Sequence, residues 1–184
     1  MNRCVAPFTL PGGEAKCRNM GAIGAIWGFS GVVALGAYVI YRLVPRAAEA
    51  LNSSLTTGQW VFLIGFAILM LVAEGYRGFQ KNFSPRTAAR VKYVHDNPGF
   101  LLVILAPFFC LGFFHAKGKT RGAAIGLTAG IILLVALVPY LPAPWRGLVD
   151  FGVALGMFYG ILSFAAFTAK AFLGKEFPYS PEVP

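Results

Sequence analysis

Residues 73–86 read AEGYRGFQKNFSPR, and within them a hydrophobic segment passes into the densest group of charges in the chain. At 100° per residue, an α-helix here places three ionic side chains within about 60° of one another, namely Glu74, Arg77 and Lys81. The same rotation gathers three aromatic side chains on the opposite face, Tyr76, Phe79 and Phe83. Such a two-faced helix is typical of a working site, and equally of a membrane helix that leaves the bilayer.

The composition around this stretch is that of an integral membrane protein. Apolar residues make up 57% of the 184 residues and charged residues only 12%. A water-soluble domain could not cover its surface with so few polar side chains. The net charge of +9 lies mostly between the hydrophobic runs, where it orients a protein against anionic lipid headgroups, and it does not indicate nucleic-acid binding.

Five uncharged runs are each close to the ~20 residues that an α-helix needs to cross a ~30 Å hydrocarbon layer. They cover residues 19–41, 51–73, 97–116, 122–145 and 151–169. Because lipid cannot satisfy an irregular backbone and alternating barrel strands are absent, we expect an all-α integral membrane protein with five hydrophobic helices. The expected organisation is a polar N-terminal segment, a single polytopic membrane domain and an extended C-terminal tail, at residues 1–18, 19–171 and 172–184.

A short basic helix is expected between the second and third runs. Ser84-Pro85 predicts an N-cap followed by a first helical turn, and Asp96-Asn97-Pro98 predicts the end. We expect this helix to lie on the membrane surface. Basic side chains there and just before it are predicted to contact anionic lipid or a protein partner: Arg77, Lys81, Arg86, Arg90 and Lys92.

The distribution of Lys and Arg gives two possible topologies in a bacterial inner membrane, both with a cytoplasmic N-terminus. Five crossings place 9 of the 16 basic residues inside, whereas a third run that enters and leaves on the same side places 13 inside. The positive-inside rule favours the re-entrant arrangement, although the third run is long enough to span when tilted. Both topologies place residues 74–92 in the cytoplasm.

Glycines recur at spacings of three and four, as in glycine-zipper helix contacts. We expect eight of them to lie at helix-packing faces: Gly24, Gly28, Gly122, Gly126, Gly130, Gly152, Gly156 and Gly160.

Two carboxylates are candidates for moving a proton or an ion. Glu74 lies at a membrane boundary, where an ionisable group is costly and usually functional. A purely structural alternative is an ion pair with Arg77, one helical turn away. Asp150 has the same two readings, with Arg146 as the predicted partner four residues earlier.

Metal and cofactor chemistry is not indicated. His95 lies in a polar loop and His115 at the end of a hydrophobic run, so a shared metal or haem is not expected. The cysteines fit no metal spacing, and Cys4 and Cys17 are interpreted as free thiols. Motifs of common enzymes are absent. One place offers room for a lipophilic ligand, the kinked third run with Pro107, Phe108, Phe109 and His115.

Several phrases together resemble a group of uncharacterised proteobacterial inner-membrane proteins. They are RLVPRA (42–47), EGYRGFQ (74–80), FSPR (83–86), APFFC (106–110), FHA (114–116) and PWRG (144–147) with Asp150. The resemblance covers most of the chain after the first twenty residues. It implies a location and supplies no activity.

The function expected from these features is that of an accessory or scaffold subunit of a larger inner-membrane complex. Its partners would be anionic lipids and other membrane subunits or further copies of itself. The alternatives are a small proton- or ion-coupled transporter that uses Glu74 and Asp150, and a membrane enzyme acting on a lipid or quinone.

Overall fold

The computed structural model describes residues 13–113, 122, 136–174 and 177–181, and all regular structure among them is helical. Three helices are long and apolar enough to cross a membrane: Cys17–Leu51, Thr57–Asp96 and Trp145–Leu173. Most of the fourth hydrophobic run, residues 122–145, lies outside the described residues. The described part of the chain thus has three long apolar helices and several short ones, and it does not confirm five membrane-spanning helices.

Helix α1 covers Gly13–Leu51. It continues past Arg46 to Leu51 because the alanine-rich segment after Pro45 favours helix. The serines that follow then end it: the Ser53 hydroxyl donates to the carbonyl oxygen of Ala50 at 2.7 Å.

Helix α2 covers Thr57–Met70 and begins with a capping box. The Gln59 amide donates to the Thr56 hydroxyl, and the Thr56 amide donates to the Gln59 side chain at 2.8 Å. Two amides that lack intrahelical acceptors are thereby satisfied.

A π-helix over Leu71–Phe83, called the π-segment below, joins α2 directly to α3, Ser84–Asp96. The predicted N-cap at Ser84 is wrong, because Ser84 has helical backbone angles and its amide donates to the carbonyl of Phe79, five residues earlier. Pro85 has no amide to donate, so the change from i→i+5 to α-helical pairing falls at a position where one bond is missing anyway. The continuous helix Thr57–Asp96 has 40 residues, about twice the number that an α-helix needs to cross the hydrocarbon layer.

The third hydrophobic run forms two short helices, α4 over Phe100–Ile104 and α5 over Ala106–Leu111. Together they are about 18 Å long, which is short of the ~30 Å hydrocarbon layer. The break falls at Leu105, just before Pro107 in the first turn of α5. At the break, the Trp27 indole donates to the carbonyl of Ile104 at 3.2 Å, so α1 satisfies a backbone group that the break exposes.

Helix α5 ends at Gly112, whose φ of 93° lies in the left-handed region. The Gly112 amide donates to Phe109 and the Phe113 amide donates to Phe108, which is the hydrogen-bond pattern of a Schellman motif. A side chain at position 112 would strain this conformation, and so the glycine fixes where the helix stops.

Helix α6 covers Trp145–Leu173, and a short 3₁₀-helix over Val138–Tyr140 precedes it. The chain divides into two compact units. Unit 1 comprises Met1–Val33, Pro85–Ala124 and Ala166–Pro184, and unit 2 comprises Ala34–Ser84 and Ile125–Ala165. In unit 2, Ala50, Leu63 and Leu148 form a buried core.

Helix α3 has nearly the predicted bounds but is not a surface helix. Its buried residues include Thr87, Ala88, Arg90, Val91 and Val94. Val94 packs against Gly24 of α1, and the Tyr93 ring lies 5.8 Å from the Phe109 ring. Small and β-branched residues on α3 permit this close packing. The basic residues of the same segment had favoured a surface helix instead.

The cysteines differ from the expectation at one position. Cys17 is disulfide-bonded, so its interpretation as a free thiol is wrong. Cys110 is free and buried.

Candidate functional site

The π-segment packs against α6 in unit 2 through reciprocal contacts between aromatic rings and glycines. A Cβ added at Gly75 would lie 3.0 Å from the Tyr159 ring, and one added at Gly160 would lie 2.5 Å from the Phe79 ring. Each ring occupies the space left by the other helix's missing side chain. The two backbones therefore approach closely along the stretch that carries the charged exit.

A polar contact lies within this apolar packing. The Tyr159 hydroxyl donates to the side-chain oxygen of Gln80. Because an unpaired hydroxyl or amide costs free energy in a low-dielectric interior, this bond fixes the register of the π-segment against α6. Neither Tyr159 nor Gln80 was predicted as a site residue. The two lie 79 positions apart, and no local sequence pattern indicates their pairing.

The i→i+5 pattern rearranges the predicted ionic and aromatic faces. The Lys81 ammonium lies 4.6 Å from the centre of the Tyr76 ring, and the Asn82 amide group donates to the carbonyl of Arg77 at 2.6 Å. Both pairs are five residues apart, which is the hydrogen-bond spacing of a π-helix. The prediction that Lys81 shares a face with Glu74, opposite Tyr76, is therefore wrong, because it assumed the rotation of an α-helix.

Glu74 is half-buried beside α6. Its Oε2 atom would lie 3.4 Å from a Cβ added at Gly156, so the carboxylate lies at van der Waals distance from this position on α6. Arg77 is exposed, and among the described residues Glu74 forms neither the predicted ion pair nor a hydrogen bond. An acid on an apolar helix without a basic partner is a candidate for binding a proton or a cation.

Asp150 is buried and has a different partner from the predicted one. Its Oδ2 atom lies 3.9 Å from Nη1 of Arg46, on α1. The Nε atom of Arg146 is buried and has no hydrogen-bond partner in the described part of the chain. The contact with Arg46 arises because Gly147 lets α6 pack on the backbone of Arg46. Asp150 therefore balances the charge of Arg46 on α1.

Arg90 was predicted to be a surface cation, and this prediction is wrong. Only 1% of Arg90 is exposed. Its Nη1 atom donates to the carbonyl of Phe109 at 2.7 Å, and its guanidinium lies 5.1 Å from the Phe109 ring. A cation suits the carbonyl end of a helix, which carries partial negative charge. Arg90 thus fastens α5 within unit 1. The other predicted surface cations are exposed (Arg77, Lys81) or half-buried (Arg86, Lys92).

The residues proposed for a lipophilic ligand do not come together around one space in the described part of the chain. Pro107 packs onto Gly31, Phe109 is buried beside Arg90, and Phe108 is 54% exposed. His115 lies outside the described residues.

The glycines fall into three groups. Five contact other helices or side chains: Gly24 and Gly28 meet Val94, Val103, Ala106 and Cys110, while Gly152, Gly156 and Gly160 meet Phe66, Met70, Glu74 and Phe79. Gly122 has open space around it, and Gly126 and Gly130 lie outside the described residues. Within that description, no group of three His, Cys, Asp or Glu side chains could hold a metal ion.

Comparison with known protein families, curated proteins and solved structures gives no match. The candidate site of unit 2 is therefore defined by its own geometry. It consists of a half-buried carboxylate, Glu74, next to a Tyr159–Gln80 hydrogen bond, on a π-helix packed against glycines.

Proposed function

We propose that this chain is an accessory or scaffold subunit of an inner-membrane complex, and that it packs against a transmembrane helix of another subunit through α2. The observation that carries this proposal is the exposure of α2. Only 11% of the apolar window in Thr57–Asp96 is buried within the chain, compared with 44% in Trp145–Leu173.

Two glycines on α2 support a protein partner in preference to lipid. No described atom lies within 4 Å of a Cβ added at Gly58 or Gly65. Glycine within a helix costs about 1 kcal/mol relative to alanine, and lipid contact gives nothing in return. Contact with a second helix offsets this cost, because glycine lets two helix backbones approach closely. The exposed side chains of Val61, Ile64 and Ile68 would then pack around Gly65.

The test is affinity purification of the full chain in mild detergent, followed by mass spectrometry. We expect the wild type to recover a stoichiometric membrane partner and Gly65→Leu to lose it. Leu35→Ile, a volume-conserving substitution of an exposed residue on α1, is the control and should retain the partner. A monodisperse protein without a partner contradicts the proposal, as does a homodimer or undiminished recovery by Gly65→Leu.

We place the N-terminus in the cytoplasm with the third run re-entrant. Two observations support this arrangement: it puts 13 of the 16 Lys and Arg residues inside, and α4 and α5 together are too short to span. The disulfide at Cys17 is the opposing observation, because disulfides persist in oxidising compartments. A reporter fused after Arg121 should give a cytoplasmic signal, and a periplasmic signal contradicts this topology.

A second candidate function is proton- or ion-coupled transport through Glu74. It is favoured by the position of the carboxylate beside Gly156, without a basic partner in the described part of the chain. Asp150 is the weaker carrier because Arg46 already balances its charge. In proteoliposomes with a pH gradient, Glu74→Gln should abolish coupled flux, while Asp150→Asn should leave most of it. Equal flux in wild type and Glu74→Gln excludes this role.

A further inference from the structure

A cleft of about 170 Å³ lies in unit 1, between the last turns of α3 and the C-terminal tail. Its walls combine charged, amide and aromatic side chains: Lys92, Tyr93, Asp96, Asn97, Phe177 and Tyr179. The predicted surface role of Lys92 does not account for this arrangement, because the tail folds over the same face of α3.

The tail that closes the cleft is held by ring contacts. The Tyr179 ring lies 5.2 Å from the Phe177 ring and 5.7 Å from the ring of Phe167 on α6. The Lys170 ammonium lies 5.7 Å from the centre of the same Phe167 ring. The aromatic wall is therefore part of the packed structure of unit 1.

The two charges of the cleft do not neutralise each other. Lys92 and Asp96 are four residues apart on α3, a spacing at which side chains can pair. Within the described residues they form no ion pair, and Asp96 Oδ1 instead lies 2.9 Å from Nδ1 of His95. The cleft is therefore lined by a lysine, an aspartate and two aromatic residues of the tail.

We propose that this cleft binds a phosphodiester that also carries an ammonium group, as ethanolamine phosphodiesters do. The Lys92 ammonium would contact the phosphate through charge-assisted hydrogen bonds. The ligand's ammonium would contact the Asp96 carboxylate and the faces of Tyr179 and Phe177, as cations do over aromatic rings. This inference is independent of the function proposed for α2. The same chemistry occurs in the headgroup of phosphatidylethanolamine and in soluble glycerophosphoethanolamine.

The test is native mass spectrometry of the full chain in detergent, titrated with phosphatidylethanolamine, phosphatidylglycerol of the same acyl chains, and glycerophosphoethanolamine. We expect the ethanolamine lipid to bind in preference to the glycerol lipid. Lys92→Gln should weaken binding about tenfold, the loss of one charge-assisted contact. Asp96→Asn should remove the preference for ethanolamine over glycerol. Arg42→Gln, a substitution of an exposed cation in unit 2, is the control and should bind as the wild type does.

The aromatic wall has its own pair of variants. Tyr179→Leu should weaken ethanolamine-lipid binding about fivefold, whereas Tyr179→Phe keeps the ring and should bind like the wild type. Competition by glycerophosphoethanolamine identifies a soluble ligand, and its failure to compete identifies the lipid. Equal binding of both lipids to the wild type, or unchanged binding by Lys92→Gln, overturns the proposal. Absence of binding by all three probes overturns it too.

Discussion

In each unit, part of the helix Thr57–Asp96 packs against glycines. The units differ in the contacts of one polar side chain of this helix, which is Arg90 in unit 1 and Glu74 in unit 2. In unit 1, Arg90 is buried and donates to the carbonyl of Phe109. In unit 2, Glu74 lies beside Gly156 with no hydrogen bond among the described residues. Glycine contacts alone therefore do not define a role. A polar side chain that hydrogen-bonds another helix indicates architecture, and a carboxylate with no described partner leaves capacity for a proton or a cation.

The largest effect is expected from Arg90→Met. This substitution keeps much of the side-chain volume but removes a buried charge-assisted hydrogen bond and a cation–π contact. We expect the free energy of unfolding in detergent to fall by about 2–3 kcal/mol. Arg77→Met, at an exposed position, is the control and should change it by less than about 0.5 kcal/mol. Equal stability of the two variants would show that Arg90 is not structural.

Gly160→Ala should have the next largest effect, because its new Cβ would lie only 2.5 Å from the Phe79 ring. We expect a loss of about 1–3 kcal/mol from overpacking, measured by the same unfolding experiment. Gly65→Ala is the matched control, since its Cβ enters open space and alanine favours helix. A stabilising Gly160→Ala would refute the close contact between the π-segment and α6.

Tyr159→Phe tests the polar contact within the same packing. It removes the hydroxyl that donates to Gln80 and should cost about 1 kcal/mol. Tyr140→Phe changes a residue that is 86% exposed and should be neutral. If the two substitutions have equal effects, the hydrogen bond does not contribute to stability.

The smallest effect on stability is expected from Glu74→Gln, within about 0.5 kcal/mol, because no described partner is lost. The same substitution should have the largest effect on flux if Glu74 carries protons. A large loss of stability would mean that Glu74 resembles Arg90, and the contrast between the two units would disappear.

The sequence was sufficient for features that depend on neighbouring residues. Hydropathy located the long apolar helices, and Asp96 was recognisable as a helix end from Asn97 and Pro98 beyond it. The Thr-x-x-Gln spacing of Thr56 and Gln59 is likewise typical of the capping box that begins α2.

The remaining features depend on contacts between distant segments. The burial of Arg90 requires the carbonyl of Phe109, and the partner of Asp150 is Arg46 on another helix. The π-segment has no short sequence signature. The glycines and rings that it packs against lie on α6, far along the chain. Charge counting predicted a surface location for side chains that these contacts bury.

The length of the π-segment also decides which of its side chains meet α6. A one-residue deletion between Gly75 and Phe79 would change the azimuth of Phe79 and Gln80 relative to Gly75. Phe79 would then leave the space beside Gly160, and Gln80 would point away from the Tyr159 hydroxyl, although both residues would still be present. The length of this segment is consequently as much a determinant of the protein as the identity of any residue within it.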